Sequence, residues 1–330
     1  MMRLFDCTLR DGANVVGNGF SKELTISMVE ALLDCGIDQI ELGNAKGMGA
    51  HENGAKAPLS DLEYMQAVAP YVKKGSLGMF LQAGYATEER VRMAVENGLQ
   101  FLRVGTAAGD GVKAVPAVKM VKEAGLCCRY SLMKAYICSP EELAKEAKML
   151  EDAGVDIITI MDSAGTMLPD EVRTYVKALK ESVSIPVGFH GHSNMGMAQA
   201  NALAAIEAGA DEIDCGLLGM ARSAGNCATE VAMASFLRKG YGKEENLYGL
   251  LHYLDDKLIP AMAKYNYKAA ICPLDLILGL SGCHSSFIKI FEKVAKEEQV
   301  SLYSLIVKVS EQNRKNPDET LMRKIAQELK

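Results

Sequence analysis

The sequence predicts a (β/α)8 TIM barrel with a C-terminal helical appendage, an α/β fold. Short apolar runs alternate with helical patterns as far as about residue 240, and there are eight such runs. Eight is the number of strands that closes a barrel of about 250 residues. After Tyr241 the helical patterns continue with no strand between them. We therefore expect a catalytic barrel over residues 1–244 and a helical domain over residues 245–330.

Each predicted strand is followed by a helix with recognisable ends. Ser21 and Ser139 are predicted N-caps, Pro140 suits a first helical turn, and Gly36 and Gly154 are predicted stops. Repeated strand–helix units imply a parallel sheet with right-handed crossovers. A doubly wound sheet is the alternative, but "TLRDGANVVG" lacks its glycine-rich nucleotide fingerprint. The candidate strands are residues 3–8, 39–44, 76–82, 101–106, 127–134, 156–162, 186–192 and 212–218.

Composition and charge narrow the class of protein. Hydrophobic residues make up 49% and charged residues 24%, which is typical of a soluble globular protein. The net charge of −6 argues against binding to nucleic acid or to a membrane surface. No apolar run is long enough to span a bilayer, and the first residues lack the apolar core of a signal peptide. The nine cysteines are scattered without a CxxC pair, so we expect a reduced, cytoplasmic setting.

Two of the five histidines lie in "VGFHGHSNMG", at the end of the seventh predicted strand. Side chains alternate along a strand, so His190 and His192 face the same side. Two neutral imidazoles at this spacing can bind one divalent ion, although they can also simply fill a barrel mouth. The first strand ends in "DCTLRDG", which places Arg10 and Asp11 on a neighbouring loop. Asp11 can complete a set of two histidines and one carboxylate, or form an ordinary ion pair with Arg10.

Other strand ends carry further candidates. Asn226, in "RSAGNCATE" after the eighth strand, can cap a helix or offer an amide oxygen to a metal or its water. Asp162 or Ser163, at the end of the sixth strand, can hold a substrate carboxylate or orient a ligand. Lys134, after the fifth strand, is a weaker candidate for a Schiff-base amine.

Several of these motifs together mark a family resemblance. "DCTLRDG", "GFHGHSNMG" and "GMARSAGNCATE" resemble the HMG-CoA lyase-like superfamily of metal-dependent pyruvate aldolases and acyl lyases. "GLSGCHSSFIKIFEKVAKEEQVSLYSLIVKVSEQ" is similar to the carboxy-terminal segment of the 4-hydroxy-2-oxovalerate aldolases in that superfamily. The resemblance implies a divalent ion, commonly Mn²⁺ with Mg²⁺, Co²⁺ or Zn²⁺ as alternatives, bound by Asp11, His190 and His192. It also implies Asn226 as a fourth ligand or as a residue beside the ligands.

The resemblance assigns substrate contacts to two residues, and this sequence departs from the family pattern at two other positions. It implies that Arg10 stabilises an enolate oxygen and that Ser163 contacts the pyruvate carboxylate. The family's proton-transfer histidine, three residues after the motif aspartate, is Asn14 here, and the tyrosine of its "GxYSSF" segment is His284. An amide cannot act as a general base, whereas an imidazole can. We therefore predict that the proton-transfer role has moved to His284, with His51 on the second loop as the alternative.

These features predict a metal-dependent aldolase that cleaves or forms a 4-hydroxy-2-oxo acid, with pyruvate and an aldehyde as products. One alternative is a Claisen-type synthase joining an acyl-CoA to a 2-oxo acid, although "RDGANVV" departs from the RDGxQ pattern of such synthases. A second is a catalytically weakened barrel with a binding or regulatory role. The resemblance also implies a CoA-acylating aldehyde dehydrogenase partner docked on the helical region, which could instead form a lid or a homodimer face. We also expect a homo-oligomer.

Overall fold

Eight parallel strands close into a barrel in chain order, as the sequence predicts. A computed structural model describes residues 3–240, 243–270, 273–283, 285–313 and 315–330. The chain divides into two compact units, Met1–Ala232 and Met233–Lys330. The assignment of residues 1–244 to catalysis and 245–330 to a separate helical domain stays a prediction. Among the described residues, no helix has the length and apolar character needed to cross a membrane.

The strands lie where the apolar runs predict them, and most are a residue or two shorter. The barrel closes where β1 pairs with β8, with Phe5 beside Asp214. The strands are β1 (Arg3–Asp6), β2 (Gln39–Leu42), β3 (Ser76–Gln82), β4 (Phe101–Ala107), β5 (Cys127–Met133), β6 (Ile157–Asp162), β7 (Val187–Gly191) and β8 (Glu212–Cys215).

The helices that follow the strands begin at the predicted caps. The Ser21 hydroxyl accepts a hydrogen bond from the Leu24 N–H, and Ser139 forms a reciprocal capping box with Glu142. The helices are α1 (Lys22–Asp34), α2 (Asp61–Val68), α3 (Glu88–Glu96), α4 (Val115–Glu123), α5 (Pro140–Asp152), α6 (Pro169–Ser182), α7 (Ala198–Glu207) and α8 (Thr229–Arg238).

The first strand ends early because the backbone turns at Cys7. The N–H groups of Arg10, Asp11 and Gly12 all point to the Cys7 carbonyl oxygen, at 3.2, 2.8 and 3.3 Å. A short 3-10 turn, Gly12–Val16, follows at once. The predicted strand over residues 3–8 is therefore four residues long. The turn places Arg10 and Asp11 at the carboxyl end of the barrel.

Near the amino ends of the strands, the barrel interior contains a buried ion pair, which the sequence analysis did not predict. Arg129 pairs with Glu212 and donates a second hydrogen bond to the side chain of Gln39. The guanidinium carbon of Arg129 lies 4.5 Å from the centre of the Phe5 ring. Three strands, β2, β5 and β8, are thus joined by one buried arginine.

A second buried arginine lies nearer the carboxyl end of the strands. Arg103, on β4, is fully buried, and its Nη1 lies 2.7 Å from Asp214 Oδ2 and 3.8 Å from Glu41 Oε1. Its guanidinium carbon lies 4.7 Å from the centre of the Phe5 ring. Asp214 and Glu41 in turn contact residues of the candidate site, so Arg103 links the barrel core to that site.

The second unit is helical throughout its described part, in agreement with the helical patterns after residue 241. In the described residues from 243 onward there is no strand. The helix Glu244–Tyr253 continues through one π-helical turn, Leu254–Leu258, into the helix Ile259–Ala263. The helices are α9 (Glu244–Tyr253), α10 (Ile259–Ala263), α11 (Pro273–Ser281), α12 (Ile288–Glu298), α13 (Leu302–Gln312) and α14 (Glu319–Glu328).

Candidate functional site

A cavity of about 230 Å³ opens at the carboxyl ends of the strands, where TIM-barrel enzymes place their chemistry. Its walls come from the ends of β1, β2, β3, β5, β6, β7 and β8. The lining residues are Arg10, Asp11, Ala45, Lys46, Phe80, Gln82, Met133, Lys134, Met161, Ser163, His190, His192 and Arg222.

The three predicted metal ligands come together in this cavity. Asp11 Oδ2 lies 3.7 Å from His190 Nε2 and 3.7 Å from His192 Nε2. The three side chains are buried, and their ligand atoms all lie within 4.8 Å of one another. Metal bonds of about 2.0–2.2 Å to nitrogen and oxygen place neighbouring ligand atoms roughly 3–4 Å apart. The spacing therefore fits a single divalent ion.

The protonation states of these ligands also suit a metal. Burial opposes ionisation of Asp11, but the Arg10 guanidinium and both imidazoles hold the pKa of its carboxyl well below the ordinary value. Burial lowers the pKa of His192 to about 4, and the charges of His190, Arg10 and Arg222 act in the same direction. Above that pH His192 is neutral and Asp11 is ionised, which are the forms that bind a cation.

His190 is held by a residue that the sequence analysis missed. His190 Nδ1 lies 3.0 Å from Asp214 Oδ2, and the two residues face each other across β7 and β8. Burial raises the pKa of Asp214, but Arg103 and the His190 hydrogen bond outweigh it and keep the pKa below the ordinary value. An ionised Asp214 accepts the Nδ1 proton and leaves Nε2 free to face Asp11. This is the orientation that carboxylate–histidine–metal sites use.

A second group of three potential ligands, Cys7, His190 and Asp214, lies on the core side of His190. Burial raises the pKa of the Cys7 thiol well above its ordinary value, so the thiol stays protonated. Asp214 is already paired with Arg103. Cys7 and Asp214 are therefore not expected to bind the ion. Asp214 instead holds the His190 imidazole through Nδ1.

Two side-chain amides hold Asp11 in place. Asn226 Nδ2 donates to Asp11 Oδ2 at 2.9 Å, and Asn14 Nδ2 donates to the Asp11 carbonyl oxygen and to Oδ1 at 2.8 and 3.2 Å. Asn226 is no helix cap, because α8 begins only at Thr229. Its Oδ1 is buried and has no hydrogen-bond partner among the described residues. That oxygen is available to an ion or to a water molecule on it.

Arg10 is fixed by its own partners and faces the cavity. Its Nε donates to Glu41 Oε2 at 2.6 Å, its Nη1 lies 3.1 Å from Asp11 Oδ1, and its guanidinium stacks over Phe80. Glu41 was missed by the sequence analysis. It is a lone charge in the apolar run "QIEL", which is the only signal that the sequence offers.

Of the candidate residues after β5 and β6, Lys134 and Ser163 line the cavity, whereas Asp162 does not. Ser163 lines the cavity, and its Oγ accepts a hydrogen bond from the Lys134 N–H at 2.9 Å. The hydroxyl proton of Ser163 is therefore directed elsewhere and can be donated to a ligand. Asp162 instead accepts hydrogen bonds from the N–H groups of Thr166 and Met167. It stabilises the loop and is absent from the cavity lining.

Three residues are candidates for proton transfer: Asn14, His51 and His284. Asn14 accepts a hydrogen bond from Lys46 Nζ at 3.0 Å, so both ends of its amide are engaged. His51 Nδ1 accepts a hydrogen bond from the Ala57 N–H, and His51 does not line the cavity. His284 lies outside the described residues, so its role stays a prediction.

We expect Asp214→Asn to weaken Mn²⁺ binding about 10–100-fold, because residues that orient metal ligands typically contribute that much. The neutral amide no longer accepts the His190 proton with a full charge, so the imidazole loses its fixed orientation. Calorimetric titration of Mn²⁺ measures the change. Asp156→Asn, which alters a half-exposed pair with Lys122, is the control. Unchanged affinity in folded Asp214→Asn would remove Asp214 from the site.

Comparison with known proteins agrees with this fold. Residues 1–256 match the family HMGL-like. The 4-hydroxy-2-oxovalerate aldolase of Carboxydothermus hydrogenoformans is 33% identical over 331 residues, covering 99% of this chain and 97% of that protein. The enzyme of the same name from Moorella thermoacetica is 32% identical over 329 residues, covering 99% and 96%.

Solved structures share the fold at lower identity. The HMG-CoA lyase of Bacillus subtilis superposes with a TM-score of 0.70 at 18% identity, covering 82% of this chain and 95% of that chain. The N-terminal domain of a putative aldolase from Bacteroides vulgatus gives a TM-score of 0.67 at 22% identity, covering 81% and 89%. With the match over residues 1–256 and relatives that span nearly its whole length, this chain belongs to the HMGL-like family, as a member similar to the 4-hydroxy-2-oxovalerate aldolases.

Proposed function

We propose that this protein is a divalent-metal-dependent aldolase, a carbon–carbon lyase that cleaves or forms a 4-hydroxy-2-oxo acid with pyruvate and an aldehyde as products. The observation that carries the proposal is the convergence of Asp11, His190 and His192 beside Arg10 in one buried cavity. The aldolase names of relatives that span nearly the whole chain support the same reaction.

The residues present fit a divalent ion. Asp11, His190 and His192 would bind it, and the unpartnered amide oxygen of Asn226 would lie beside it. The ion supplies Lewis-acid stabilisation for the negative charge that develops on the ketone oxygen of the substrate. Nitrogen and oxygen ligands without a thiolate suit Mn²⁺, which we propose as the metal, with Mg²⁺, Co²⁺ and Zn²⁺ as alternatives.

The side chains around the ligands bind and orient the substrate. Arg10 has N–H groups left after its bonds to Glu41 and Asp11, and it donates them to the oxygen on which charge develops. The Ser163 hydroxyl, fixed by the Lys134 N–H, donates to the substrate carboxylate. Both groups are held before substrate arrives, so they need no rearrangement as the carbon–carbon bond between C3 and C4 breaks.

Cleavage also requires removal of the proton on the 4-hydroxyl group. Asn14 does not perform it, because an amide has no basic site and this one is bonded to Asp11 and Lys46. We propose that His284 takes this proton and later returns one to the enolate carbon. An imidazole with an ordinary pKa near 6.5 can both accept and donate at neutral pH.

We also propose the cellular context. We propose a reduced, cytoplasmic location, since no disulfide joins the eight described cysteines. A homo-oligomer and a CoA-acylating aldehyde dehydrogenase partner, docked on the helical residues 245–330, are further proposals that follow from the family resemblance. Such a partner would consume the aldehyde as it forms.

A screen for pyruvate release tests the proposed reaction. We expect the Mn²⁺-loaded protein to release pyruvate from at least one 4-hydroxy-2-oxo acid in a panel, as measured with a coupled lactate dehydrogenase assay. Chelation of the ion should stop release, and added Mn²⁺ should restore it. Release from no member of the panel, or release that persists in the protein shown by elemental analysis to be metal-free, would contradict the proposal.

A further inference from the structure

Three cations line the cavity besides Arg10. Lys46 follows β2, Lys134 follows β5, and Arg222 follows β8. In the described part of the chain, none of the three forms an ion pair with a carboxylate, and the one side-chain hydrogen bond among them joins Lys46 to the neutral Asn14. Arg10 differs, because Glu41 and Asp11 both contact its guanidinium.

A substrate with a single carboxylate does not neutralise all the positive charges that line the cavity. Arg10 is paired with Glu41, and a divalent ion with Asp11 leaves one net positive charge, which the single carboxylate of a 2-oxo acid neutralises. Lys46, Lys134 and Arg222 then have no anionic partner among the described residues around the same 230 Å³ cavity, although Lys134 and Arg222 are exposed to solvent. A substrate with a second anionic group would supply the missing charge.

Lys46 is the best placed of the three. Lys46 is half-buried, and its Nζ donates a hydrogen bond to Asn14 Oδ1 at 3.0 Å. Asn14 in turn donates to the candidate metal ligand Asp11. Burial and the positive charge of Arg222 lower the pKa of Lys46, and Arg10 acts in the same direction, while Asp11 opposes them. These cations repel one another across the cavity, and an anion placed among them would relieve that repulsion.

We propose that Lys46, together with Arg222 and Lys134, forms an anion-binding subsite, so that the aldehyde portion of the substrate carries a carboxylate or a phosphate. The subsite rests on the proposed aldolase function, because it is defined beside a 2-oxo acid bound at the metal ligands. The subsite predicts that the aldehyde carries an anionic group where acetaldehyde carries a hydrogen on its methyl carbon or where a longer aldehyde ends in a methyl group.

Matched substrates test the subsite in turnover. 4-Hydroxy-2-oxopentanoate and 4-hydroxy-2-oxoglutarate differ by a terminal methyl or carboxylate, and 4-hydroxy-2-oxo-5-phosphooxypentanoate provides the phosphate arm. We expect the wild type to prefer one anionic substrate by kcat/KM, and the better of the two identifies the anion. Lys46→Gln should lower that kcat/KM about 10–100-fold, the value of a hydrogen bond to a charged group. The loss should be smaller for the methyl substrate, which has no anionic end. Lys119→Gln, on the exposed face of α4, is the control and should leave kcat/KM unchanged for every substrate.

A binding measurement separates the subsite from the reaction. 2-Oxoglutarate and 2-oxopentanoate share the 2-oxo acid end and differ only in a terminal carboxylate or methyl. Calorimetry on the Mn²⁺-loaded wild type should show tighter binding of 2-oxoglutarate, and Lys46→Gln should remove the difference. If no substrate releases pyruvate, the aldolase proposal fails while this comparison still decides the subsite. Equal or weaker binding of 2-oxoglutarate by the wild type, or an unchanged preference in Lys46→Gln, would overturn it.

Discussion

Asp11→Asn is expected to lose the bound divalent ion and to lower pyruvate release by about 10³-fold or more. Asp11 is the one anionic member of the ligand set, and both imidazoles lie 3.7 Å from its Oδ2. The substitution leaves two histidines and no carboxylate beside Arg10, a cation that repels a metal ion. Lewis-acid stabilisation is worth several kcal/mol, and each 1.36 kcal/mol corresponds to a factor of ten in rate.

Elemental analysis and calorimetric titration with Mn²⁺ measure the first effect, and the coupled pyruvate assay measures the second. His190→Ala removes a different ligand and should lose the ion as well. Asp110→Asn, which alters an exposed pair with Lys113, should change neither quantity. If the wild type binds no Mn²⁺, Co²⁺, Mg²⁺ or Zn²⁺ above background, or folded Asp11→Asn keeps both the ion and the activity, the metal site is wrong.

The barrel and the convergence of the three candidate metal ligands could be predicted because they depend on local periodicity. Alternation along β7 is enough to place His190 and His192 on one face, and strand order is enough to bring the first loop close to them. The end of β1 was predicted two residues too late, because three N–H groups converge on the Cys7 carbonyl in a turn that apolar residues do not announce.

The supporting residues could not be predicted, because their partners are distant in the sequence. Arg103 looks like an isolated charge in an apolar strand, and Asp214 is one of three acidic residues in "DEID". Only the closed barrel brings the two side chains within 2.7 Å. The same holds for Glu41 and Arg10. Lys46 was missed for another reason: its direction depends on the conformation of an irregular loop, which hydrophobic periodicity does not report.

Arg103→Leu is expected to destabilise the protein by about 3–5 kcal/mol, the usual cost of removing one partner from a buried ion pair. Arg103 is fully buried between Asp214 and Glu41, so its loss leaves two carboxylates in the barrel interior. Glu41 keeps Arg10 as a partner, whereas Asp214 keeps only the imidazole of His190. The uncompensated charge on Asp214 therefore accounts for most of the expected loss.

Urea unfolding of the metal-free protein, followed by circular dichroism, measures the free energy of unfolding. Arg92→Leu, which removes an exposed arginine paired with Glu96, should change it by less than about 1 kcal/mol. The double variant Arg103→Leu/Asp214→Asn should regain part of the lost stability, because the buried charge is removed with its partner. Losses that simply add in the double variant would show that Arg103 contributes through packing against Phe5, and the explanation by charge pairing would then be wrong.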